Sequence, residues 1–203
     1  MTSVAPTHGE WSHPVPASAA WRHTGSREGV EATFFEVAAE TATVRGATVA
    51  IEGGEPWTVG YAITVDSSWR TRRASVWSIA AAGERRIELE GDGDGAWRID
   101  GEPRPDLQGC LDVDLESSAC TNTFPLHRLQ LRARGRAEAP ATYVRVPDLA
   151  VERLEQTYTR LQAPTDAELL YDYRAPRFDF ECRLRVDASL LVLDYPGIAT
   201  RFH

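Results

Sequence analysis

Residues 43–65 read TVRGATVAIEGGEPWTVGYAITV. The runs 43–51 and 57–65 within it have a period of two. They carry the β-branched and aromatic residues that suit a pleated, half-buried surface. EATFFEV (31–37) precedes them, and RASVWSI (73–79) and RIELE (86–90) continue the pattern. GDGDG (91–95) then joins 86–90 to AWRID (96–100). Asp-Gly steps supply positive φ at little cost, so a hairpin is predicted there. The second half repeats the theme in TYVRV (142–146), AVERL (150–154), QTYTRL (156–161), LLYDY (169–173), FDFECRLRV (178–186) and LLVLD (190–194). Only 146–162 could also be read as a helix, against its Thr and Tyr content. The reading is all-β with little helix, with a faint echo between the halves: both end a strand in Asp before a Gly- or Pro-containing turn, at Asp100 and Asp194.

A chain of 203 residues is long enough to bury a sizeable core, and all-β domains reach this size as one unit. Residues 1–20, rich in Pro, Ser, Ala and His, read as a flexible lead-in to a single domain over 21–203. The formal net charge is −8, and every basic residue apart from histidine is arginine. Phosphate neutralisation requires a basic face, and no arginine run provides one, so nucleic acid is excluded as a partner. The start of the chain has no apolar core of secretory length. No stretch approaches the roughly 18 apolar residues that span a bilayer. The expected location is the cytoplasm. Three cysteines, Cys110, Cys120 and Cys182, form neither a disulfide framework nor a zinc pattern, and no metal or cofactor is expected. The odd cysteine number and exposed sheet edges permit a homodimer without demanding one.

The chemistry concentrates in GCLDVDLESSACTNTFPLHRLQL (109–131). As a half-buried strand it puts Leu111, Val113 and Leu115 on one face and Asp112, Asp114 and Glu116 on the other. Side chains two apart on a strand have backbones about 6.8 Å apart. That overlaps the carboxyl separations of glycosidases, roughly 5–9.5 Å. Those enzymes, however, set their acids on opposite sides of the sugar, whereas strand neighbours lie side by side. Three readings stay open for Asp112 and Asp114: a solvated face, the hydrogen-bonding wall of a cavity, or catalysis or metal ligation. Thr121, Asn122 and Thr123 suit Asx- and Ser/Thr-turns, and equally the hydroxyl-rich ligands that carboxylates and amides recognise. Arg128 can offer a planar donor fork or form an ion pair with Asp112 or Asp114. Ser117 and Ser118 lack a nucleophile-elbow setting. Cys110 reads as a small buried hydrophobe. The DGDG run fails as a calcium loop, because Trp97 and Pro103 occupy its sixth and twelfth places.

GCLDVDL (109–115) followed by TNTFPLHRL (121–129) resembles the signature of a bacterial family of glycolipid-binding β-roll proteins, formerly a domain of unknown function. WRIDG (97–101), Tyr61, DSSWRTR (66–72), QTYT (156–159) and VDASLLVLDYPG (186–197) agree with it. This chain departs from the family pattern at Ala119 in place of a proline, Phe124 in place of a leucine and His127 in place of a basic residue. The last leaves Arg128 without a basic neighbour. The resemblance implies an antiparallel β-roll, a curved sheet of about fifteen strands wound as two similar halves (21–108 and 109–203). It also implies a likeness to carriers whose curved sheets hold acyl chains.

The leading expectation is therefore non-enzymatic binding of a small amphiphilic, glycolipid-like ligand. Asp112, Asp114, Thr121, Asn122, Thr123 and Arg128 would meet its headgroup. Trp57, Tyr61, Trp69, Trp77, Tyr158, Phe178 and Phe180 would line the apolar concavity. The alternatives are a hydrolase of sugar- or lipid-like substrates acting through Asp112 or Asp114, and a structural module filled by its own side chains.

Overall fold

The computed structural model describes residues 13–162 and 168–203. Of the expected lead-in, residues 1–12 lie outside the described residues, and the first strand opens at Ser18. The strands of the first half are β1 (Ser18–His23), β2 (Arg27–Val37), β3 (Thr41–Glu52), β4 (Glu55–Asp66), β5 (Thr71–Ala80), β6 (Gly83–Gly91), β7 (Trp97–Ile99) and β8 (Glu102–Pro103). β9 (Asp112–Leu115) and the helix α1 (Thr123–Leu129) follow. The second half adds β10 (Arg136–Glu138), β11 (Ala141–Val144), β12 (Val151–Leu154), β13 (Thr157–Arg160), β14 (Leu169–Ala175), β15 (Phe180–Val186), β16 (Val192–Tyr195) and β17 (Ala199–Arg201). The stretch 146–162, open to a helical reading, thus contains β12 and β13.

Fourteen strands form one antiparallel sheet in the order β10-β13-β14-β15-β16-β17-β1-β2-β3-β4-β5-β6-β7-β8. It is a meander whose two arms join where β17 pairs with β1, through Trp21 opposite Arg201 and His23 opposite Ala199. The GDGDG hairpin forms as its sequence predicts: Gly91 faces Trp97, and the Asp92 carboxylate accepts the amides of Asp94 and Ala96. On β4 the inward positions Trp57, Val59, Tyr61, Ile63 and Val65 are all buried. Two glycines fit side chains to the sheet. A Cβ on Gly46 would lie 2.3 Å from the Tyr61 hydroxyl on the inner face, and one on Gly60 would lie 2.1 Å from the Trp77 ring on the outer face.

The remaining strands make a small sheet, β12-β11-β9, in which β9 and β11 run parallel. β9 is not half-buried as its alternation suggests, because it lies inside the roll and is covered on both faces. Asp112, Val113 and Leu115 are buried and Asp114 is half-buried. Every residue from 117 to 127 is buried as well. The Thr-Asn-Thr run, read as turns, instead closes a short 3-10 turn, Cys120–Asn122, and starts α1. Pro125 falls in the first turn of α1, where a missing N–H costs nothing. Strands from both arms reach this inner segment through Glu31, Thr48, Thr71, Trp97 and Tyr158.

Candidate functional site

A chain segment inside a sheet roll must find partners for its own backbone polar groups. Side chains projecting inward from the strands supply them. The Thr48 hydroxyl donates to the Ser117 carbonyl at 2.8 Å, and the Trp97 indole N–H to the Cys110 carbonyl at 2.8 Å. Arg27 Nη1 donates to the Glu116 carbonyl at 2.9 Å, and the Val113 amide donates to the Thr71 hydroxyl at 3.1 Å. Glu31, fully buried on β2, does most. Its Oε2 accepts the Ala119 amide at 2.8 Å and the Cys120 amide at 3.4 Å, while its Oε1 accepts the Tyr61 hydroxyl at 2.6 Å and the Ser118 hydroxyl. Burial raises its pKa against the pull of those donors.

The acids of β9 have separate partners. Asp112, 1% exposed, takes a two-pronged grip from Arg128, with Nη2 to Oδ2 at 2.5 Å and Nε to Oδ1 at 3.1 Å. Among the described residues, the donors to Asp114 are neutral: the Thr121 hydroxyl at 2.8 Å and the Gln156 amide at 2.6 Å. Burial first, and then the neighbouring charges of Asp112 and Glu116, push its pKa up to about 6. The Tyr158 hydroxyl lies 2.8 Å from Asn122 Oδ1 and 3.0 Å from Gln156 Oε1, so its single proton is shared between the two amide oxygens. Just past β9, Glu116 accepts Arg27 Nη2 at 3.1 Å and the Val146 amide at 2.8 Å.

Beside these groups lies a cavity of about 230 Å³. Asp114, Glu116, Asn122, Ser118 and Arg27 form its polar end. Its aromatic wall is Tyr143 from β11, Tyr173 from β14, Phe180 from β15, Tyr195 from β16, and Phe178 from the turn before β15. Tyr173 and Tyr195 meet edge-on at 5.7 Å, Phe180 and Tyr195 at 6.0 Å, and Tyr143 and Phe178 lie tilted at 5.6 Å. Exposed Thr24, Ser26, Gly197 and Phe178 surround the mouth.

Of the residues singled out in the sequence, Asp114, Asn122, Phe178 and Phe180 line this cavity. Asp112 and Arg128 lie off its wall as a closed ion pair, and Thr121 stands behind Asp114. Thr123 is buried at the start of α1. Trp57 packs under the Arg27 guanidinium at 5.5 Å, Tyr61 is tied to Glu31, and Trp77 lies on the outer face. Trp69 stacks on His127 at 3.8 Å. Burial lowers the His127 pKa to about 3, and the ring sits 3.0 Å from the Ser189 carbonyl, so this side chain is a neutral imidazole that donates from Nε2. Sequence reasoning missed Glu31, Arg27, Glu116, Gln156 and three tyrosines, Tyr143, Tyr173 and Tyr195. Among the described residues, no three His, Cys, Asp or Glu side chains converge to hold a metal ion, and no helix is long and apolar enough to cross a membrane.

The fold and site define an antiparallel β-roll with a small cavity, acidic at one end and aromatic along its wall. Residues 18–201 match the family described as "Putative glycolipid-binding", and the chain belongs to that family. It is similar to a DUF1089-family protein of Pseudomonas aeruginosa, with 30% identity over 98% of this chain and 100% of that one, at a TM-score of 0.72. A β-barrel-like protein of the DUF1849 group from Brucella abortus shares the fold at 12% identity, covering 91% of this chain and 93% of that one, with a TM-score of 0.51. No curated protein matches the sequence.

Proposed function

We propose that this protein binds an amphiphilic ligand without transforming it, and that the cavity holds the ligand's head and the adjoining stretch of chain. The observation that carries this reading is one cavity that joins a carboxylate-and-amide end to a wall of five aromatic side chains. Its volume of about 230 Å³ falls below the roughly 300–1,000 Å³ of common small-molecule pockets. A whole glycolipid does not fit, so the rest of the ligand leaves through the mouth beside Phe178. Each CH₂ shielded contributes about 0.8 kcal/mol, so a short buried stretch gives useful affinity while the polar end sets specificity. The hydrolase reading has less support. Asp112 is neutralised by Arg128 and lies off the wall, and both oxygens of Asp114 are held by Thr121 and Gln156. All three cysteines are free, which fits a reducing compartment such as the cytoplasm.

Native mass spectrometry of freshly purified protein tests the reading. A co-purifying lipid-sized adduct is expected, and Ala175→Trp, which fills the cavity from β14, removes it. The absence of an adduct, together with ester or glycoside turnover that Asp114→Asn abolishes, would establish the hydrolase instead.

A further inference from the structure

We propose that the cavity selects an amphiphile whose head is an organic ammonium group, a protonated or quaternary amine, over neutral or anionic heads. The inference rests on the reading that the cavity takes the polar end of an amphiphile. It begins from the charges that line it: Arg27, Asp114 and Glu116. Arg27 is already engaged. Its Nη2 reaches Glu116 at 3.1 Å and Glu52 at 3.4 Å, its Nη1 holds the Glu116 carbonyl, and its guanidinium lies over Trp57. Among the described residues that line the cavity, that leaves no unengaged cation for the head of an anionic ligand.

Asp114 is in the opposite position. Among the described residues, no arginine or histidine lies within salt-bridge reach of it, and its partners are a hydroxyl and an amide. With Arg27 set against Glu116, the carboxylate of Asp114 is the unbalanced charge at the polar end. A carboxylate in such a place attracts a cation strongly, because little water remains to screen the pair. The aromatic wall points the same way. The negative faces of Tyr and Phe rings attract cations, and cages of such rings are the usual receptor for quaternary ammonium groups. Here Tyr173, Tyr195 and Phe180 stand at interplanar angles of 61–81°, which bounds a volume on several sides. Acids two residues apart and a tyrosine-rich wall would repel a carboxylate or phosphate head.

Isothermal titration at low salt with three amphiphiles of equal chain length, each below its micelle concentration, decides the matter: octyltrimethylammonium, octyl glucoside and octanoate. The ammonium is expected to bind at least about tenfold more tightly than either of the others, the span of a desolvated cation–π contact. Asp114→Asn, isosteric and able to keep one of its two partners in place, removes that preference. Should this variant fail to fold, the pH profile of the unaltered protein serves. The groups around Asp114 are Asp112, with its partner Arg128, and Glu116 along its own segment, Arg27 in the same cavity lining, and the tyrosines Tyr143, Tyr158, Tyr173 and Tyr195 on the packed strands. The tyrosines stay neutral, because burial raises each one. Ammonium affinity should therefore climb as pH rises through about 6, where Asp114 ionises, while glucoside affinity stays flat. Glucoside or octanoate binding that equals or exceeds the ammonium's overturns this inference and leaves amphiphile binding standing. Failure of all three to bind overturns both.

Discussion

Removing the Glu31 side chain should unlatch the inner segment from the sheet. The amides of Ala119 and Cys120 donate to its Oε2 at 2.8 and 3.4 Å. Backbone amides cannot turn to seek another acceptor. The hydroxyls of Ser118 and Tyr61 can, and Tyr61 has the Thr33 hydroxyl 2.7 Å away. Two orphaned buried donors at about 1–3 kcal/mol each give an expected loss of about 2–6 kcal/mol for Glu31→Ala. With a urea slope of about 2 kcal/mol per molar, that lowers the unfolding midpoint by roughly 1–3 M. Glu31→Gln behaves differently. Its carbonyl oxygen can face the two amides, and its NH₂ can face the two hydroxyls, which then accept. The pH dependence follows from the raised carboxyl pKa. The folded state holds this proton more tightly than the unfolded chain does. Its stabilising contribution is complete below the unfolded pKa of about 4.3 and is lost as pH rises through the raised folded value. Glu31→Gln lacks that loss, so its stability should match the unaltered protein in acid and gain on it as pH rises. Urea unfolding followed by tryptophan fluorescence over this pH range is the assay. An Ala variant with an unshifted midpoint and an unchanged slope would refute the latch.

The Asp112–Arg128 pair gives a second prediction. Arg128→Met strands a carboxylate that is 1% exposed and should cost about 3–5 kcal/mol, whereas Asp112→Leu combined with Arg128→Met should recover most of the loss; a urea-unfolding double-mutant cycle measures both. Gly46→Ala and Gly60→Ala make a contrasting pair. A methyl at Gly46 meets the Tyr61 hydroxyl at 2.3 Å and the Ala32 carbonyl at 2.8 Å; Tyr61 cannot yield without leaving Glu31, so a loss of about 1–3 kcal/mol is expected. At Gly60 the obstacle is the half-exposed Trp77 ring, which can swing outward, so the expected result is a red-shifted emission with a loss under about 1 kcal/mol.

The sheet was legible because its signal is local. Alternation and β-branching mark β3, β4 and β5, and an Asp-Gly turn marks the β6–β7 hairpin, all within a few residues. What decides the site is not local. On β2 the apolar residues Val30 and Phe34 face outward, while Arg27, Glu31 and Thr33 face inward. Hydrophobicity alone would turn that strand over, since nothing near Glu31 in sequence reveals the amides waiting 88 residues later. α1 was illegible for another reason. Seven residues opening Thr-Phe-Pro are too short for helical periodicity to register. The segment 109–131 was recognisable as chemically dense, but whether its acids faced solvent depended on a second layer that only the topology supplies.

That second layer also explains why the densest motif supplies the cavity's polar end and none of its aromatic wall. A roll of fourteen strands encloses more space than its own side chains fill, and residues 110–129 occupy the excess. A buried segment brings unpaired amides and carbonyls, so the surrounding strands must carry inward polar groups: Glu31, Thr48 and Thr71 from one arm, Gln156 and Tyr158 near the other. Most of the motif is thereby committed to holding itself in place. Beside the end of β9, from Asp114 to Glu116, the second arm curves past and a cavity remains, and there the aromatic residues come from β11, β14 to β16 and the turn before β15. If the cavity binds an amphiphile as proposed, the motif sets the polar end through Asp114, Glu116, Ser118 and Asn122, and the fit of the rest of the ligand falls to Tyr143, Tyr173, Phe178, Phe180 and Tyr195. Chains that keep the motif and change those five would then keep the fold and take different ligands.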